Sequence, residues 1–99
     1  MRLKLIVITL LFTLVGLAQT KGTIKGVITD KDLNNEPLPF ANVVVKGMNI
    51  ATTSDDKGNY SISIVPGEYT LEFSFLGYEN VTETVVVKEN ETSIINKSI

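Results

Sequence analysis

Residues 22 to 97 predict an all-β domain, a sandwich of seven short strands in a Greek key. Three observations carry that prediction. Apolar and polar residues alternate with a period of two, turn-forming Gly, Pro, Asn and Asp interrupt the alternation roughly every eight to twelve residues, and no stretch after Ala18 shows a helical period.

Ahead of the domain, Met1-Arg2-Leu3-Lys4 places two positive charges before an apolar or small run from Leu5 to Ala18. Gly16 and Ala18 are the small residues a cleavage site requires at −3 and −1, so residues 1–18 are expected to be a signal peptide, cleaved after Ala18. The run is shorter than the roughly 20 residues a helix needs to cross a bilayer, which argues against a transmembrane anchor. Cleavage takes Arg2 and Lys4 with it. Seven basic residues then remain against 11 acidic ones, and the net charge moves from −2 to −4. An acidic domain without a basic stripe predicts no nucleic-acid partner, because a phosphate backbone demands clustered Lys and Arg.

The first strand is Gly22 to Asp30 (GTIKGVITD), with Ile24, Gly26 and Ile28 on one face and Thr23, Lys25 and Thr29 on the other. Lys31 to Pro39 (KDLNNEPLP) gathers turn-formers, Pro37 among them, and ends it. In Phe40 to Lys46 (FANVVVK), Ala41, Val43 and Val45 share a face, and Gly47 closes the strand. Ile50 to Ser54 is expected to be a short edge strand, turned by Asp55 to Gly58 into Asn59 to Val65, where Tyr60, Ile62 and Ile64 alternate with Ser61 and Ser63. Pro66-Gly67 is a turn dipeptide. It is expected to join Asn59–Val65 to Glu68–Leu76 in a central hairpin, with Tyr69, Leu71, Phe73 and Phe75 pointing inward. Gly77-Tyr78 breaks that run, Val81 to Lys88 is a further strand, and a last segment runs from Thr92 to Ile99.

No cysteine is present, so disulfides, metal thiolates and a lipid-bearing cysteine are excluded. A domain of this size buries only about 60 to 65% of its unfolded surface, which calls for an efficient two-sheet core.

The stretch SDDKGNY (Ser54 to Tyr60) has the local look of a calcium loop or an acid pair. An EF-hand frame with Gly58 at its sixth position puts Lys57 at the fifth and Ile64 at the twelfth, where ligand oxygens are needed. That removes the ion. Asp55 and Asp56 in a tight turn are expected to be solvated, with no environment to push their pKa values apart. The stretch is therefore read as a hairpin turn: Asp55 accepts from backbone N–H groups, Gly58 is the pivot and Tyr60 anchors the next strand. With no His and no Cys in the sequence, the common nucleophile–base pairs and the usual transition-metal ligands are missing. Serines are expected on strand exteriors and turns, outside any nucleophile elbow. No catalytic activity and no cofactor are expected. Asn-x-Ser/Thr sequons at Asn80, Asn90 and Asn96 are read as chance in a chain rich in these residues. Tyr60 and Tyr69 are expected in the core; Tyr78 is the best candidate for exposure, or for a corner whose hydroxyl ties a loop to the sandwich.

Gly26-x-Ile28-x-Asp30, Pro37-Leu38-Pro39-x-Ala41-x-Val43-x-Val45-x-Gly47, Ser54-Asp55-x-x-Gly58-x-Tyr60, Pro66-Gly67-x-Tyr69-x-Leu71 and Gly77-Tyr78 together resemble the carboxypeptidase regulatory-like domain over about residues 22 to 88. The resemblance implies a transthyretin-like (prealbumin-like) sandwich without catalytic residues. It is most similar to the version that follows the signal peptide of TonB-dependent outer-membrane receptors in Bacteroidetes. This implies an exported accessory or interaction domain of a nutrient-uptake receptor, in the periplasm or on the periplasmic face of the outer membrane, with envelope receptor components as partners. Ser54 stands where Thr is more usual, and Ile99 is the last residue where a plug and barrel would follow. The chain is thus read as the N-terminal part of a longer receptor or as a free-standing relative. Two other readings are weighed. A secreted carbohydrate-binding or adhesion module requires an exposed aromatic strip, which the inward alternation does not supply. A stalk domain with an isopeptide bond requires a Lys–Asn pair, for which Lys25 and Asn96 are the candidates, and Lys25 alternates outward.

Overall fold

A computed structural model describes residues 20–99, and the proposed signal peptide lies outside the described residues. Nine strands follow in order: β1 (Gly22–Asp30), β2 (Glu36–Pro37), β3 (Asn42–Val45), β4 (Ile50–Thr53), β5 (Asn59–Ile64), β6 (Gly67–Ser74), β7 (Val81–Val87), β8 (Thr92–Ile94) and β9 (Lys97–Ser98). A 3-10 turn, Lys31–Leu33, follows β1. The all-β class holds, whereas the expected seven strands become nine. The loop rich in Asn and Pro contributes the two-residue β2, and the last segment divides into β8 and β9.

Two sheets pack face to face. One is an antiparallel sheet in the order β4-β3-β6-β7. The other is organised around β1, which pairs antiparallel with β2 and β5 and parallel with β8 and β9. Its even-numbered backbone groups face β5 and β2: Ile28 N donates to Gly58 O at 2.8 Å, and Ile28 O accepts from Leu38 N at 2.9 Å. Its odd-numbered groups face the C-terminal segment. Thr23 N donates to Glu91 O, Ile95 N to Lys25 O and Ile99 N to Thr29 O, each at 2.9 Å.

Both expected hairpins are corrected by this topology. β5 pairs with β1, while β6 pairs with β3 and β7, so Val65 and Pro66 carry the chain between sheets. Ser54 to Gly58 likewise links β4 in one sheet to β5 in the other. Alternation tells which face of a strand is buried and nothing about which strand lies beside it. The buried faces are as expected: Ile24, Ile28, Tyr60, Ile62 and Ile64 of one sheet meet Val43, Val45, Leu71, Phe73, Val85 and Val87 of the other. Tyr60 and Phe73 meet edge to face, with centroids 5.7 Å apart and planes at 75°, an arrangement worth about 1 kcal/mol beyond area burial. Phe40 departs from its expected strand. It lies ahead of β3 with φ at 62° and its ring is exposed.

Candidate functional site

Many of the residues singled out from the sequence fall into four clusters, each joining segments distant in the chain. At the β4–β5 crossover, Asp55 Oδ1 accepts from Lys57 N and Asn59 N at 2.9 Å each. Those backbone donors hold the Asp55 carboxyl below its ordinary value of 3.8. Gly58 has φ at +79°, and a Cβ there would stand 2.5 Å from Ile28 O, so both conformation and space require glycine. Asp56 is exposed.

Beside this loop, Ser54 is buried, contrary to the expectation that the serines lie outside. Its hydroxyl donates to Leu38 O at 2.7 Å and accepts from Ala41 N at 2.9 Å. It satisfies the backbone where Pro37-Leu38 bends towards β3, and Leu38 and Ala41 are buried there.

At the same end, Asp30 is buried and caps the 3-10 turn, its Oδ1 accepting from Asp32 N at 3.0 Å. The Tyr78 hydroxyl donates to Asp30 Oδ2. Tyr78 thus fills the corner role, with its ring edge-on to Phe75 at 5.5 Å. The bond to Asp30 raises the Tyr78 pKa above 10.

The fourth cluster surrounds Gly26. A Cβ there would fall 1.9 Å from Ile95 O. Between β8 and β9 the chain leaves regular pairing with β1, and Asn96 Oδ1 replaces the missing acceptor by receiving Val27 N at 2.9 Å. Tyr60, buried, donates its hydroxyl to Ile95 O at 2.6 Å, and burial pushes its pKa to about 12. Asn96 is engaged with the backbone and Lys25 is exposed, an arrangement unlike a buried isopeptide pair.

The remaining motif residues are turn or core residues. Val43 is fully buried. Gly47 and Gly77 sit in open turns. Pro66 and Gly67 make the sheet crossover, tied by the Tyr69 hydroxyl donating to Val65 O at 2.6 Å. All three tyrosine hydroxyls are therefore engaged within the domain, and the rings form no exposed strip. Sequence reasoning missed the bridging roles of Ser54 and Asn96. It also missed the ion pair between Lys97 and Glu83, 2.7 Å apart, which links β9 to β7. Ser54 differs from the exposed serines by no local signal, and Asn96 looked like a chance sequon. Among the described residues, no group of three or more His, Cys, Asp or Glu side chains is placed to hold a metal ion.

Comparison with known proteins places these joints in context. A family model described as the CarboxypepD_reg-like domain matches residues 24–98. The human (Homo sapiens) carboxypeptidase N catalytic chain is 38% identical over 80 residues, covering 81% of this chain and 17% of that protein. TonB-dependent receptor P39 of Formosa agariphila is 40% identical over 55 residues, covering 56% of this chain and 5% of that protein. TonB-dependent receptor SusC of Bacteroides thetaiotaomicron is 33% identical over 82 residues, covering 78% and 8%. The chain thus spans less than a fifth of the length of these relatives. The Bacillus anthracis TIE protein shares the fold, with a TM-score of 0.63 at 21% identity over 81% of this chain and 17% of that one. With the family pattern matched from the first strand to the last, this chain belongs to the CarboxypepD_reg-like domain family.

Proposed function

We propose that the chain is a non-catalytic, exported β-sandwich that serves as an accessory or interaction domain of a TonB-dependent outer-membrane nutrient-uptake receptor, on the periplasmic side. The observation that carries this reading is the similarity to two TonB-dependent receptors. Residues 1–18, read as a signal peptide, support export. The structure adds a chemical reason to favour interaction over catalysis: the polar motif side chains Asp30, Ser54, Asp55, Tyr60, Tyr69 and Tyr78 are all bonded within the domain.

Expressing the tagged full chain in a bacterium that carries TonB-dependent receptors, then fractionating and affinity-purifying it, tests the reading. The expected result is an envelope location and recovery of outer-membrane receptor components. A chain found in the cytoplasm or only in the medium, without an envelope partner, overturns it.

A further inference from the structure

We propose that the free edge of β5 takes an extended peptide strand from another protein, one that presents a carboxylate on the outer face of the sheet. This rests on the reading of the domain as an interaction module and names the chemistry of its partner.

The register of β5 follows from Ile28 N donating to Gly58 O. In the same alternation Gly26, Ile24 and Gly22 bond with Tyr60, Ile62 and Ile64. The intervening residues of β5 turn their backbone groups to the opposite edge. Asn59 uses both of its groups on Asp55, its N donating to Oδ1 and its O accepting from Asp55 N, each at 2.9 Å. Beyond the other end of β5, Val65 O accepts the Tyr69 hydroxyl. Between these two stops, the N–H and C=O of Ser61 and Ser63 have no partner among the described residues.

Across the sandwich, the β7 edge shows how this fold covers an edge. Val86 O accepts the Ser93 hydroxyl at 3.0 Å, and Lys97 reaches Glu83. The β5 edge has no such cover. Ser61 and Ser63 carry no charge, and the strand contains no proline and no bulge, which are the usual protections against strand addition.

Two N–H and C=O pairs spaced by two residues, about 7 Å, are the pattern an extended backbone matches. A cleft of about 480 Å³ opens beside them, lined by Lys25, Val27, Thr53, Asn59 and Ser61 among others. Lys25 is its one charged lining residue, is exposed and forms no ion pair among the described residues. It is also the cross-strand neighbour of Ser61. A carboxylate carried opposite Ser61 therefore comes within the sweep of the lysine side chain. The carboxylate of Asp55, at the end of β5, is engaged with its own loop.

The test is a titration of the isotope-labelled full chain with acetyl-Thr-Val-Asp-Val-Thr-amide, followed by amide NMR shifts and hydrogen exchange. Saturable shifts and slowed exchange are expected at Ser61 and Ser63, with Thr82 and Thr84 on β7 unchanged. Lys25→Glu is expected to weaken binding about fivefold, and exchanging the peptide's Asp for Lys is expected to restore it to that variant. Ser61→Pro removes an N–H that the domain's own pairing does not use and is expected to abolish binding; N-methylation of the peptide's alternate amides gives the same loss without touching the protein. No saturable shift at millimolar peptide, shifts centred on β7, or shifts that grow with protein concentration alone, as for a second copy, overturn the proposal. Peptide binding without envelope co-purification would instead overturn the receptor reading and leave this edge in place.

Discussion

The two sheets of this domain are built by different means. The β4-β3-β6-β7 sheet pairs neighbours antiparallel in continuous registers, seven residue pairs between β6 and β7 alone. Alternation of β-branched and aromatic residues fixes which face of each strand in such a sheet is buried. The other is a single long strand, β1, flanked on both sides by short pieces. Wherever two pieces meet, one particular residue completes the connection: Gly58 where β5 gives way to β2, Asn96 between β8 and β9, and Asp30 at the end of β1. Gly26, Asp30, Gly58, Tyr60 and Tyr78 of the family pattern serve this second sheet.

Substitutions sharpen that contrast. Gly58→Val forces a β-branched residue into φ +79° and drives its Cβ against Ile28 O, so a loss of about 4 kcal/mol in denaturant unfolding is expected. Asn96→Ala leaves Val27 N without its acceptor and is expected to cost about 1.5 kcal/mol, while Thr84→Ala on the regular sheet costs about 0.5 kcal/mol or less. Equal costs for these two would break the comparison.

Tyr60→Phe removes the hydroxyl bond to Ile95 O, with an expected loss of about 1 kcal/mol and faster amide exchange at Ile95 and Ile99. Tyr60 also has a pH signature. Its folded pKa is raised from 10.0 to about 12, so its contribution is complete below pH 10 and is lost as pH rises through about 12. Melting temperatures across that window are expected to fall less steeply for Tyr60→Phe than for the parent. Asp55 has the opposite sign. Its lowered folded pKa adds stability that is complete above the ordinary carboxylate range and lost as pH falls through the folded value, so Asp55→Asn flattens the acid side of the curve. Asp56→Asn, one residue along and exposed, is expected to change stability by less than about 0.5 kcal/mol.

The same division governs what was legible in the sequence. Ile24, Ile28, Val43, Val45, Tyr60, Ile62, Ile64, Leu71 and Phe73 are buried as their alternation predicts, because a period of two fixes faces. Strand neighbours were not legible. Nothing local distinguishes Pro66-Gly67 in a hairpin from Pro66-Gly67 in a sheet crossover, and both put apolar faces inward. Asp55 as backbone acceptor followed from the chemistry of Asp in turns, whereas Ser54, Asn96 and Lys97 act across long separations. The free edge at Ser61 and Ser63 was hidden for the same reason: an open edge is a property of pairing.

The parallel pairing of the last segment with β1 sets an order of events. Val27 waits for Asn96, 69 residues later, before its N–H is satisfied, and Thr29 waits for Ile99. As the chain emerges from a ribosome amino end first, β1 is covered on one flank only until β8 and β9 arrive. Contacts of such long sequence separation slow folding. A domain closed by β8 and β9 stays open along one flank of β1 until both have been made, so the timing of its folding is set by its latest strands.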